Sequence, residues 1–441
     1  MRFHLIKHLS SIAALLLAVM IAMPAHAISL LRDPDLEYAL KQIATPVLQA
    51  AGLNPSRVKV LLVDDNTLNA FVVSNNAIFL HYGLVNKLEN AAMLQGVIAH
   101  EAAHIVNGHI TRRLTNLANS RTISGLGLAL AAAAAASGQG RAAGGIALGA
   151  ASSARGAFLG HTREEESSAD QSAVRFMKSG GVSPQGLLET LEIFAGQEAL
   201  SVGRQDPYMR SHPLSRDRVR AVAGAVASYG TLPSNPTADY WFARLQGKIT
   251  AYTRAPSWTL RRLGSEPYAD VRLLRQAIAE HRNSRTKNAL AAIDQAIASR
   301  PSDPFFRAQK GDILLETRNF SAAVQTYAAA VGLAPNDPLV LSGYGRALLA
   351  TGQNAAARDT LEKSRRQDFR DGSMLRDLAT AYAKTGETGM AALITAERFA
   401  LSGRLEDAGI HAKRASGLLD TGSGPWQRAQ DVLIASERAA K

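Results

Sequence analysis

The chain has 441 residues, 46% of them hydrophobic, and its 49 lysines and arginines outnumber 37 acidic residues to leave a net charge of +12. That length suits two or three domains at roughly 150 residues each, with an ample core. Cysteine is absent, which excludes every thiol-based mechanism and any cysteine-ligated zinc.

The first 27 residues read as an export leader. Arg2 and Lys7 make a positive start, Ile12 to Met23 is a short apolar run, and Ala25-His26-Ala27 is a cleavage site, with cutting expected after Ala27. The alternative, an uncleaved anchor, asks the run to span a membrane, for which it is short. From Asp33-Pro34 to Gly52 the spacing of Leu36, Leu40, Ile43 and Val47 predicts an amphipathic helix. Arg57 to Val63 reads as a strand, and Asn69 to Leu80 as a strand pair turning at Ser74-Asn75-Asn76. A strand just ahead of a catalytic helix can offer one edge to an extended peptide, so Asn69, Ala70, Phe71, Val72 and Val73 are the expected substrate-binding residues.

Next comes Val97-Ile98-Ala99-His100-Glu101-Ala102-Ala103-His104, an H-E-x-x-H on an Ala-rich background without proline or glycine between the histidines. On a helix His100 and His104 project from one face, close enough to share a metal. Glu101 lies roughly 100° further round, which suits it to act as general base on the attacking water. The bland alternative is a helix that carries the motif by chance. A third histidine at the metzincin spacing is missing: Asn107 and Ile110 stand at the glycine and histidine positions, and His109 is expected to face elsewhere on a continuing helix. Further on, Glu166 and Asp170 are again i and i+4, so a second helix offers one carboxylate to the metal and another to the free N–H of a ligand. Two histidines and one glutamate leave a coordination position open, the catalytic rather than the structural pattern. Taken alone, Glu164, Glu165 and Glu166 also fit a solvated acidic helix start.

Between the two helices, residues 123–160 are dominated by Ala, Leu and Gly. A lid over the active site, a segment contacting a membrane, and a buried helix pair all remain open readings. After residue 228, Pro233, Pro236 and Pro256 suggest a linker over 229–268. From about residue 270 a 34-residue repeat emerges, clearest from Pro304 to Asp337, with Gly311, Ala323, Tyr327, Ala330 and Pro335 at the small and aromatic positions of a tetratricopeptide repeat. Neighbouring units align through Ala277, Ala289, Ala296 and Pro301, through Gly345 and Ala357, and through Ala379, Tyr382 and Ala391. Small residues let paired helices approach closely, and stacked pairs form a binding module. The expected architecture is therefore mainly α: a zincin-like α+β metallopeptidase domain (28–228), then an α-solenoid of tetratricopeptide repeats (269–441).

The motifs Asn69-Ala70-Phe71, Gly83-Leu84-Val85, His100-Glu101-x-x-His104, Glu166-x-x-Ala169-Asp170 and His212-Pro213 with Arg218 together resemble the Ste24-type zinc metallopeptidases, over about residues 30–225. The resemblance implies one zinc ion per chain on His100, His104 and Glu166, with Glu101 as general base and Asp170 and Arg218 supporting the ligands. It implies that His212 stands near the metal, either steadying the oxyanion or capping the open position; without it, His212 would read as a turn histidine before Pro213. Together with the leader and repeats, it resembles the exported, repeat-bearing branch of that family. That implies a periplasmic protease in quality control of outer-membrane proteins, degrading misfolded or stalled clients, with possible chaperone activity, and docking on the barrel-assembly machinery through the repeats. The rival reading is a catalytically silent adaptor or chaperone whose zinc is structural. The positive charge favours peripheral membrane contact or acidic partner proteins, or is a solubilising surface. Without aromatic stacking patterns it does not point to nucleic acid.

Overall fold

The computed structural model describes residues 29–112, 162–230 and 232–439; the expected leader and the Ala/Gly-rich stretch at 123–160 lie outside the described residues. Two compact units result, Leu30–Thr351 and one that contains Gly352–Lys441. No described helix is long and apolar enough to cross a membrane.

In the larger unit, the Asp33 carboxylate caps helix α1 (Pro34–Ala50) by accepting from the backbone of Asp35 and Leu36. Leu36, Leu40, Ile43 and Val47 are buried, as their spacing predicts. Strands β1 (Lys59–Val63), β2 (Ala70–Ser74) and β3 (Ala77–His81) form a sheet of order β1-β3-β2, with β1 parallel and β2 antiparallel to β3. The turn at Asn75-Asn76 is the expected one. His81 N–H donates to the Asn69 carbonyl, so by antiparallel alternation Ala70 and Val72 direct their backbone groups away from β3, toward the open edge of β2.

A short helix, α2 (Tyr82–Lys87), leads into α3 (Ala91–Val106), capped by Asn90 and buried along nearly its whole length. Helix α4 (Arg163–Ser179) opens with a capping box between Thr162 and Glu165. Helix α5 (Gln185–Ile193) crosses α3 at backbone contact: a Cβ on Gly186 would lie 2.2 Å from the carbonyl carbon of Ala92. Then come α6 (Pro207–Ser211) and α7 (Arg216–Tyr229).

The stretch expected as a linker is instead structured. Pro236 opens α8 (Pro236–Thr253) and Pro256 opens α9 (Pro256–Arg261), so both prolines start helices, where their missing N–H has no helical partner to lose. Ala238, Phe242, Leu245 and Ile249 of α8 belong to one apolar core with Leu40 of α1 and Leu94 of α3. Helices α10 (Ala269–Arg282) and α11 (Thr286–Ser299), then α12 (Pro304–Glu316) and α13 (Phe320–Leu333), are consecutive packed hairpins, and α14 (Pro338–Ala350) stacks on α13. Tyr327 is the wedge between them: a Cβ on Gly311 or on Gly343 would come within 2.4 Å of its ring. In the second unit, α15 (Asn354–Gln367) packs on α16 (Gly372–Lys384), and α16, α17 (Thr388–Leu401), α18 (Leu405–Ser416) and α19 (Gly424–Ala439) continue the pattern.

Candidate metal centre

Helices α3 and α4 lie side by side, and each places two chemical side chains on the shared face. On α3, His100 Nε2 and His104 Nε2 face each other at 3.1 Å. From α4, Glu166 Oε2 lies 3.4 Å from His100 Nε2, and Glu166 Oε1 lies 3.4 Å from His104 Nε2. The acidic start of α4 is divided by its helical phase: Glu164 is exposed, Glu165 closes the capping box, and Glu166 is buried. His212, just beyond α6, brings Nδ1 to 3.1 Å from Glu166 Oε1 and 3.3 Å from His100 Nε2. One ligand atom from each of His100, His104, Glu166 and His212 lies within 4.8 Å of all the others, and all four residues are buried.

Asp170 and Arg218 form the layer behind. Asp170 Oδ1 is 3.0 Å from His100 Nδ1, and Arg218 of α7 reaches both Asp170 oxygens at 2.7 and 2.9 Å. Arg218 also lies 2.9 Å from Glu166 Oε2. Burial opposes the ionised Asp170 carboxyl, but His100 and Arg218 hold it below the usual carboxylate range. Burial likewise opposes ionised Glu166, yet His212 and His100 keep its carboxyl well below the ordinary value. Burial lowers the pKa of the His100 ring, and Asp170 and Glu166 overcome that and raise it to about 10.

These residues fit a divalent cation. Glu166 and Asp170, buried and held ionised, share the one guanidinium that reaches them among the described residues, that of Arg218, so once the imidazoles are neutral, as metal ligands are, these three side chains leave one surplus negative charge. Imidazole nitrogens and carboxylate oxygens are the donor set of zinc, and the facing Nε2 atoms are close enough to share one ion. Glu101 is buried beside the cluster, its Oε1 3.4 Å from His212 Nε2.

The expected substrate edge is next to the centre. His212 Nε2 stands 3.3 Å from the Ala70 carbonyl, and Tyr208 N–H donates to the Leu68 carbonyl at 3.0 Å. Residues 208–212 therefore already engage the start of the β2 edge. Asn69 accepts from Ser211 Oγ at 3.4 Å, Phe71 stacks on Phe79, and Val73 is 55% exposed.

His109 departs from expectation. Helix α3 does not continue through it but breaks at Asn107-Gly108, where Gly108 is left-handed (φ +71°), and His109 Nδ1 returns to 2.9 Å from His104 Nδ1. The Asn-Gly dipeptide is the signal in the sequence that could have exposed the break.

Residues 32–226 match the model of Peptidase family M48, and residues 314–382 match a Tetratricopeptide repeat model. The chain thus carries an M48 peptidase domain followed by tetratricopeptide repeats, and it is a metalloendopeptidase. Its relatives agree over most of its length: it is 22% identical over 400 residues to the beta-barrel assembly-enhancing protease of Escherichia coli (strain K12), covering 89% of this chain and 81% of that protein. The protein of the same name from Yersinia pestis is 23% identical over 390 residues, covering 86% of this chain and 79% of that one. Metalloprotease YcaL of Escherichia coli (strain K12) is 30% identical over 175 residues, covering 40% of this chain and 63% of that one.

Proposed function

We propose that this protein is a zinc-dependent endopeptidase of the periplasm, exported with cleavage after Ala27, that acts on outer-membrane proteins during their assembly and quality control. His100, His104 and Glu166 hold the ion, and Asp170 and Arg218 orient His100 and Glu166. Zinc bound there would polarise the scissile carbonyl and acidify water. Glu101 takes the proton from the attacking water and passes it to the leaving amine as the peptide bond breaks, so the products are one carboxylate and one amine. The outward backbone groups of Ala70 and Val72 hold the substrate extended as an added strand. His212 sits where a substrate would join that strand, and its Nδ1 stands as a fourth donor; it caps the centre at rest and steadies the oxyanion when displaced. The repeats bind protein partners, with the barrel-assembly machinery as the expected dock and unfolded or stalled β-barrel proteins as the clients.

The observation that carries this reading is the convergence of two helices on one buried four-residue cluster with Glu101 beside it. A zinc that only stapled the fold would have no use for that carboxylate. The test compares wild type with Glu101→Gln on an unfolded outer-membrane β-barrel protein with zinc present, following both cleavage and bound zinc. Cleavage should fall about 10²–10⁴-fold with zinc retained. Equal cleavage by the two proteins would leave an adaptor or chaperone in place of the peptidase.

A further inference from the structure

His109 lies outside the four-residue cluster, yet it is only 3% exposed and meets one of its members. The placement is built by three local features. Gly108 adopts a left-handed φ of +71°, and a Cβ there would meet nothing within 4 Å, so backbone conformation rather than space calls for glycine. Asn107 Nδ2 donates to Ser168 Oγ at 3.1 Å and lies 3.2 Å from Ser172 Oγ, which ties the turn to α4, the helix that carries Glu166. One turn further, Arg112 donates to Glu165 at 2.9 Å, a second tie to the start of the same helix. The chain is thereby folded back so that the His109 ring meets the His104 ring at 65° with centroids 5.0 Å apart.

The contact joins Nδ1 to Nδ1, on the side of His104 away from the cluster. An imidazole that binds a metal through Nε2 is neutral and carries its proton on Nδ1, and that N–H needs an acceptor. For His100 the group in that position is the Asp170 carboxylate at 3.0 Å. For His104 it is His109, at 2.9 Å. The two ligands on one helix are thus backed by unlike groups, a carboxylate and an imidazole.

We propose that His109 is the positioning residue for His104: its Nδ1 accepts the Nδ1–H of His104, selecting the tautomer and ring orientation that leave Nε2 free for the metal. The inference rests on the reading of His100, His104 and Glu166 as a metal site. Asn107 and Gly108 serve it by holding the turn.

The test uses the full-length protein and measures zinc affinity by competition with a chromophoric chelator, together with the visible spectrum of the cobalt-substituted form. His109→Leu removes the acceptor, whereas His109→Asn keeps an oxygen near the place of Nδ1. His109→Leu should bind zinc about 10–100-fold more weakly than wild type and shift the cobalt bands. His109→Asn should recover most of the affinity and restore the bands. Thermal unfolding of the metal-free variants identifies any that do not fold, and His109→Ala replaces the leucine variant if it is one of them. Wild-type affinity in His109→Leu would overturn the proposal, as would an asparagine variant as weak as the leucine one, which would mean that the ring only fills space. His104→Ala serves as the control: if it binds zinc as tightly as wild type, the metal-site reading itself fails, a result distinct from failure at His109 alone.

Discussion

Arg218 is the only guanidinium in contact with the buried carboxylates of Glu166 and Asp170 among the described residues, and it is itself almost fully enclosed. Taking away one partner from a buried ionic group leaves the others uncompensated, at a cost of about 3–5 kcal/mol. Arg218→Met should therefore lower the melting temperature of the metal-free protein strongly. A divalent cation offsets part of the surplus negative charge, so saturating zinc should recover more stability in the variant than in wild type. Thermal unfolding with and without zinc checks this, and an identical zinc-induced gain in both proteins would sink it. At this scale the sequence was informative where chemistry and helical spacing coincide. His100, His104, Glu166 and Asp170 follow from i, i+4 pairs on two helices, and the structure brings them together. His109 was not legible in the same way, because its reach depends on a left-handed Gly108 that interrupts the helix its spacing was measured on.

Among the elements, the repeats show how small residues and one aromatic create a packed hairpin and how a polar group is buried with them. Tyr327 fits between Gly311 and Gly343, and its hydroxyl donates to Asp312 at 2.6 Å. Burial pushes the Asp312 carboxyl up to about 6, against the hydrogen bond from Tyr327. The sign follows: the folded state holds this proton more tightly than the unfolded chain, so stability falls as pH rises from about 4 to about 6 and is then level. Asp312→Asn keeps an acceptor for Tyr327 and removes the titration. Its melting temperature should lose that part of the pH dependence and exceed that of wild type at neutral pH; an unchanged slope between pH 4 and 6 would count against the assignment. Gly311 and Tyr327 were recognisable in the sequence by their period, since packing demands recur with every repeat. Helix α8 is not recognisable in that way, because Pro236 reads equally well as a break. At the first turn of a helix, proline is a start signal, and only the apolar residues that follow, Phe242, Leu245 and Ile249, distinguish the two cases.

Across the larger unit, α8 joins the peptidase core to the first repeats through charge as well as apolar packing. Arg244, 1% exposed, lies 2.8 Å from Asp35 of α1 and donates to Asp303, the cap of α12, at 2.5 Å. Lys248, one turn on, pairs with Asp33 at 2.8 Å. Burial disfavours both cations, but Asp35 and Asp33 respectively, with their neighbours, hold the two pKa values above their ordinary values. Such partners are more than two hundred residues apart for Asp33 and Lys248, and no local pattern in the sequence announces them. Arg244→Met leaves Asp35 and Asp303 without their shared cation and should cost about 3–5 kcal/mol. Calorimetry is expected to show the peptidase and the first repeats losing stability in the same transition. A variant in which only the repeats melt earlier would refute the coupling.

The position of α8 bears on how this chain can be dissected. A fragment cut near residue 228, where composition invites the cut, would strip Phe242, Leu245 and Ile249 from the floor beneath Leu40 and Leu94 and expose a greasy surface in their place. Expressed alone, such a piece should aggregate rather than cleave. The smallest soluble catalyst obtainable from this gene product is therefore expected to retain α8 and the first hairpins that Arg244 anchors.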